Sequence, residues 1–173
     1  MKKPPISIFR LLPITAALAF SSCFTGSWPP AVSTKAQIEK LPVTQQDIRA
    51  IHIHDQELRL IAERFPDLDY LFVSPYADIS DEGISYLSKL PKLRQVVIDN
   101  GSRLSDQSIR VLSALPSLRE LMLSNAPRLS DTSLDLLSQR KKLTYLYLPQ
   151  SKQFSESAKA TIKKSLPGCK IDF

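Results

Sequence analysis

The chain has 173 residues, with 23 basic and 17 acidic side chains and a formal net charge of +6. Lys2, Lys3 and Arg10 fall in the first 22 positions, which hold no acid, so 20 basic residues face 17 acidic ones beyond them, an excess of three. That mild balance, with no basic run before the short Arg140-Lys141-Lys142, excludes a nucleic-acid footprint, and only four glycines argue against a phosphate-cradling loop.

In chain order, the positive start is followed by the apolar stretch Leu11 to Phe20. This stretch is shorter than the ~20 residues of a membrane span and fits the central region of a secretory signal. Phe20-Ser21-Ser22-Cys23 then resembles a bacterial lipobox, which implies a signal peptide over 1–22 and a lipid on Cys23. The absence of Asp at residue 24 implies the outer membrane if the cell envelope has two membranes. Residues 24–35, with Gly26, Pro29 and Pro30, read as a tether, and Lys35 to Leu41 as a short helix before Pro42. The segment 23–47 is thus expected to comprise the lipidated cysteine, the tether and an N-terminal cap. Trp28 in this tether is a candidate to fold back on the domain.

From residue 48 onward the chain repeats itself. Rows of 25 start at Leu68, Leu93, Leu118 and Leu143. Positions 1, 4 and 6 of each row are apolar, as in Leu93, Val96 and Ile98, and their alternation with neighbours of other type predicts a short strand with one buried face. Position 12 is apolar (Ile79, Leu104, Leu129, Phe154), position 13 is serine (Ser80, Ser105, Ser130, Ser155), and position 14 is acidic (Asp81, Asp106, Asp131, Glu156). Serine followed by an acid predicts a helix start, the hydroxyl accepting an orphan N–H and the carboxylate favouring the positive helix end. Ile84 and Leu87, Ile109 and Leu112, and Leu134 and Leu137 then turn inward, one helical turn apart, until Leu90-Pro91 and Leu115-Pro116 close two of the helices. A weaker, shorter row precedes these, with Ile48, Ile51 and Ile53 in its strand columns. Cys169 to Phe173 reads as a last strand with Cys169 in the first column. One row cannot bury its own faces, so the rows must stack.

The layout LxxLxL…[IL]SDxx[IL]xxL resembles leucine-rich repeats, especially the subclass with a helical outer side. The resemblance covers about residues 48–173. It implies an α/β fold: a right-handed leucine-rich-repeat solenoid with a short parallel sheet on the concave side and short helices on the convex side. The family's asparagine at position 9 is replaced by Tyr76, Gly101, Ala126 and Ser151, while Asn100 and Asn125 stand one position earlier.

Candidate chemistry is sparse. His52 and His54, at i and i+2 on the expected first strand, suggest surface residues more readily than a metal site, and the serine–acid pairs recur as capping demands. No catalytic residue, metal or cofactor is expected, nor a small-molecule substrate. The partner-binding candidates lie on the open sheet face. They are the position-5 stripe Phe72, Val97, Met122 and Tyr147, flanked by Tyr70, Tyr145, Arg94 and Arg119, which are largely residue types enriched at interfaces. Solvent exposure of that stripe is expected to mark a protein or peptide partner. The sequence therefore points to an envelope-anchored, non-catalytic binding protein. Two alternatives are an intracellular adaptor of the ubiquitin-ligase-receptor type, although residues 38–48 show no F-box pattern, and a structural envelope lipoprotein without a discrete partner.

Overall fold

The computed structural model describes residues 28–173; the expected signal segment and Cys23 lie outside the described residues. The elements alternate: β1 Ala31–Val32, α1 Lys35–Lys40, β2 Asp47–Ala50, α2 Asp55–Arg64, β3 Tyr70–Val73, α3 Asp81–Ser85 with a 3-10 turn over Tyr86–Lys89, β4 Gln95–Ile98, α4 Asp106–Ala114, β5 Glu120–Leu123, α5 Asp131–Ser138, β6 Tyr145–Tyr147, α6 Glu156–Ser165 and β7 Lys170–Asp172. The seven strands form a single parallel sheet whose spatial order is the chain order. Each helix packs on the next, so the helices form one row.

The core lies between that row and one face of the sheet. From the strands it takes Leu71, Val73, Val96, Ile98, Leu121, Leu123, Leu146 and Leu148, and from the helices Ile84, Leu87, Ile109, Leu112, Leu134 and Leu137, all buried. Position 12 closes the strand end of this core through Ile79, Leu104, Leu129 and Phe154. In the last full row, Lys159 replaces the inward apolar residue. Its ammonium pairs with Glu156 at 2.8 Å and lies over the Phe173 ring, so the charge leaves the core at the chain end.

The repeated serines cap their helices as expected. Ser80, Ser105 and Ser130 each accept the backbone N–H two residues on, at 3.2 Å, and Ser155 accepts that of Ala158 at 3.1 Å. The same hydroxyls also reach across rows. Ser80 donates to Asp55 at 2.6 Å, Ser105 to Asp81 at 2.6 Å, Ser130 to Asp106 at 2.5 Å and Ser155 to Asp131 at 2.6 Å. The backbone N–H of each serine goes to the second oxygen of the same carboxylate, at 2.8 or 2.9 Å. Buried Ser108 and Ser133 add a third donor to Asp81 and Asp106. At the corresponding position below, Gly83 leaves room for Asp55: a Cβ there would sit 2.2 Å from its Oδ1. The result is a carboxylate–serine ladder along one end of the helix row.

The beginning of the domain differs from expectation in two ways. Ala31–Val32, read as tether, is a strand: it pairs with Arg49 and Ala50, and Arg49 donates to the Pro29 carbonyl at 3.1 Å. A two-residue strand is too short for periodicity to reveal. The first row is also in a different register. Ile48 pairs with Leu71 and Ala50 with Val73, so Ile48 occupies position 4, not position 1. Ile51 and Ile53 follow the strand, and Arg49 stands in the position-5 column beside Phe72. Apolar residues at 48, 51 and 53 matched the 1-4-6 spacing, but small, fully buried Ala50 is the residue that packs in column 6. At the other end Leu146 pairs with Ile171, which puts Cys169 in column 2 rather than column 1.

Replacing Asp106 by alanine removes the acceptor of three donors and leaves the Ser133 hydroxyl buried without a partner. Asp106→Ala is expected to destabilise the fold by about 2–4 kcal/mol in urea denaturation. Asp135→Ala, an exposed acid on α5, is expected to stay within about 0.5 kcal/mol of wild type.

Candidate functional site

The second face of the sheet has no helix against it, because the described helices all lie on the core side. Its side chains come from the strand positions that alternate with the core columns. The register sets Arg49, Phe72, Val97, Met122, Tyr147 and Asp172 in one column. Beside it run Asp47, Tyr70, Gln95, Glu120, Tyr145 and Lys170. Arg94 and Arg119 stand at the entry to their strands and are exposed. Six of the eight residues anticipated for this surface, Tyr70, Phe72, Val97, Met122, Tyr145 and Tyr147, therefore fall in these two columns, while Arg94 and Arg119 precede their strands.

They are less open to solvent than expected. Val97 and Tyr145 are each only 6% exposed, and Tyr70, Phe72, Met122 and Tyr147 are half-buried. Strands spaced about 4.8 Å apart let large side chains lean on their neighbours, so the stripe covers itself. Tyr145 stacks on Tyr147 at 6.5 Å, donates its hydroxyl to Asp172 at 3.1 Å and lies under the Lys170 ammonium at 5.3 Å. Burial, with help from Asp172, pushes the Tyr145 phenol up to about 12. Burial also raises Tyr70. Both tyrosines are therefore neutral hydrogen-bonding groups at physiological pH. At the other edge Trp28 stays 53% exposed, with the Arg49 guanidinium 5.2 Å from its ring.

The arginines are engaged. Arg94 forms a two-pronged pair with Asp69, and Arg119 donates to the Lys142 carbonyl at 3.2 Å. A polar depression of about 330 Å³ at this rim is lined by Gln46, Asp67, Asp69, Lys92, Arg94 and Ser117. Lys92–Asp67 at 2.7 Å and the Arg94–Asp69 pair cross it, so its charges are largely matched within the fold.

The central strand carries a feature that periodicity did not single out. Gln95 is 6% exposed, and its Oε1 has no hydrogen-bond partner. Both carboxylate oxygens of Asp99 are likewise buried and unpartnered. Burial alone pushes the Asp99 carboxyl up to about 6. The sequence holds a partial signal, since Asp99 is the single acid among Ser74, Asp99, Ser124 and Pro149 at position 7, but sequence alone does not show that its neighbours shut out water.

Elsewhere the remaining candidates resolve into structural roles. Both histidines lie beyond β2 and are exposed. His52 stacks on Tyr76 at 5.2 Å, and His54 Nδ1 lies 3.9 Å from Asp78. Among the described residues no group of three or more His, Cys, Asp or Glu side chains is arranged to hold a metal. Cys169 is a half-buried thiol pushed up to about 11 by burial, so its nucleophilic thiolate is suppressed. The asparagines at position 8 do connect, Asn125 Nδ2 donating to Asn100 Oδ1 at 2.9 Å, with Asn125 at φ 50°. No helix of the described residues is long and apolar enough to cross a membrane. No protein-family model matches this chain, and no curated protein matches it either.

The two kinds of aspartate predict opposite pH effects. Burial raises Asp81 and Asp106, but hydrogen bonds from Ser105 and Ser108, and from Ser130 and Ser133, outweigh it and hold them below the usual carboxylate range. Hydrogen bonds from Ser155 lower Asp131. Stability from these three is fully present above about pH 4 and is lost as pH falls through their depressed values. Asp99 binds its proton more tightly folded than unfolded, so its contribution falls as pH rises from about 4 to about 6. Asp99→Asn is expected to remove that loss and to be more stable than wild type at pH 7 in thermal unfolding.

Proposed function

We propose that this chain is a leucine-rich-repeat solenoid, held at the cell envelope by a lipid on Cys23, that binds a protein or peptide through its concave sheet face without turnover. The unbroken strand order supports the solenoid. A doubly wound α/β sheet reverses direction at a switch point and binds its ligand there; here the order runs from β1 to β7 without reversal, and every helix packs on the next. The lipobox-like Phe20-Ser21-Ser22-Cys23 supports the anchor.

The observation that carries the binding role is the shared register of Phe72, Val97, Met122 and Tyr147, with Tyr70 and Tyr145 alongside. Four strands thereby present one aromatic and apolar surface on the face opposite the helices. Aromatic side chains that are already leaning on one another lose little freedom when a partner covers them. The absence of turnover rests on the chemistry of the repeated Ser–Asp pairs, whose hydroxyls and carboxylates hold helix starts together.

Chemical crosslinking in native membranes tests this reading, comparing wild type with a Phe72→Glu/Tyr147→Glu double variant shown by circular dichroism to be folded. A protein crosslinked to wild type and lost with the variant is the expected result. Equal capture by both would place the contact on the helices or the N-terminal segment. The mass of the N-terminal peptide from the same membranes is expected to show acyl chains on Cys23; an unmodified cysteine there contradicts the anchor.

A further inference from the structure

The sheet face carries one defect that its own folding does not explain. Gln95 opens β4 and Asp99 directly follows its last residue, with Val97 at the alternate position between them. All three buried oxygens, Gln95 Oε1 and the two of Asp99, lack a hydrogen-bond partner. Buried polar groups are nearly always paired, because each orphan costs about 1–3 kcal/mol. Two such residues, one on the central strand and one just beyond its end, form a concentrated exception. Arg94, at the entry to β4, does not relieve it, because its guanidinium is taken by Asp69. Ser74, on the strand beside Asp99, gives its hydroxyl to the Ile51 carbonyl at 2.5 Å.

We propose that the Gln95–Val97–Asp99 row is the seat for a peptide segment bearing a lysine or arginine side chain, whose cation pairs with Asp99 while a neutral N–H of the same segment donates to Gln95 Oε1. This deepens the binding role proposed above and rests on it. Charge complementarity selects the occupant: all three orphan oxygens are acceptors, and two of them belong to a carboxylate. Residues four apart on a strand are separated by roughly 13 Å, so one side chain does not satisfy both positions and an extended segment does. The half-buried rings of Tyr70 and Phe72 on the adjoining strand border the row and suit a cation and its aliphatic stem. The Asp99 carboxylate oxygens are buried in the free protein, so part of the desolvation that pairing requires precedes the arrival of a donor. An acidic or purely apolar segment would leave the three oxygens unpaired.

The test uses the full-length chain in a zwitterionic detergent, titrated with acetylated hexalysine amide at pH 7.5, with hexaglutamate and hexaserine as controls. The signals read are the Gln95 side-chain amide and the Asp99 carboxyl carbon in NMR, with affinity from calorimetry. Hexalysine is expected to shift both signals saturably, and the controls neither. Asp99→Asn is expected to weaken hexalysine by about tenfold or more, while Asp135→Asn on the helix side leaves it unchanged. Hexalysine that moves neither signal, or that binds Asp99→Asn as tightly as wild type, overturns the proposal. If the membrane partner is lost with Phe72→Glu/Tyr147→Glu but kept with Asp99→Asn, the cation seat fails and the binding face stands. If both variants keep the partner, the face itself fails.

Discussion

The carboxylate–serine ladder is the constraint on which the rest of this fold depends. A row of about 25 residues buries too little apolar surface to offset the ordering of its own backbone, so each row must be fixed against its neighbour. Apolar packing supplies most of the attraction but little direction. The ladder supplies direction. Asp81 receives the N–H and hydroxyl of Ser105 and the hydroxyl of Ser108, and Asp106 receives the same set from the next row. Each carboxylate begins one helix while accepting from the serine that caps the next. Displacing one helix start therefore disturbs two rows. With the helix starts aligned, the core columns meet in register and the parallel strands follow.

Much of this was legible in the sequence, and the limits have physical causes. The core columns were visible because burial demands apolar residues at fixed intervals, and Ile84, Leu112 and Leu134 all take the places their spacing implied. The capping role of Ser80, Ser105 and Ser130 was visible because local hydrogen bonding prefers few residue types. What those residues do across rows was not, since a capping aspartate and a ladder aspartate are the same letter. The first row misled because three isoleucines satisfied the expected spacing, while the position that packs was filled by Ala50. The strand Ala31–Val32 carries no period at all.

The open face follows the same logic. Its columns could be read off, and Phe72, Val97, Met122 and Tyr147 share one as expected. Their burial could not, because it depends on how far Tyr145 or Tyr70 leans over a neighbouring strand. Mutual cover among the aromatics keeps an apolar surface tolerable in water. Among these columns Gln95 and the adjoining Asp99 carry buried oxygens without a partner in the fold. Gln95 and Asp99 thus cost the fold stability where local packing alone does not require them, which is the pattern expected of a position shaped by something other than folding.

Native-state hydrogen exchange of the Ser80, Ser105, Ser130 and Ser155 amides tests the ladder most directly, because each of these N–H groups is donated to a carboxylate of the preceding row. The account predicts that the amides of Ser105 and Ser130, in the middle of the array, exchange as slowly as those of the strands Gln95–Ile98 and Glu120–Leu123. Exchange at the rate of exposed loop amides would contradict it, leaving the rows held together by apolar packing and the parallel strand pairing.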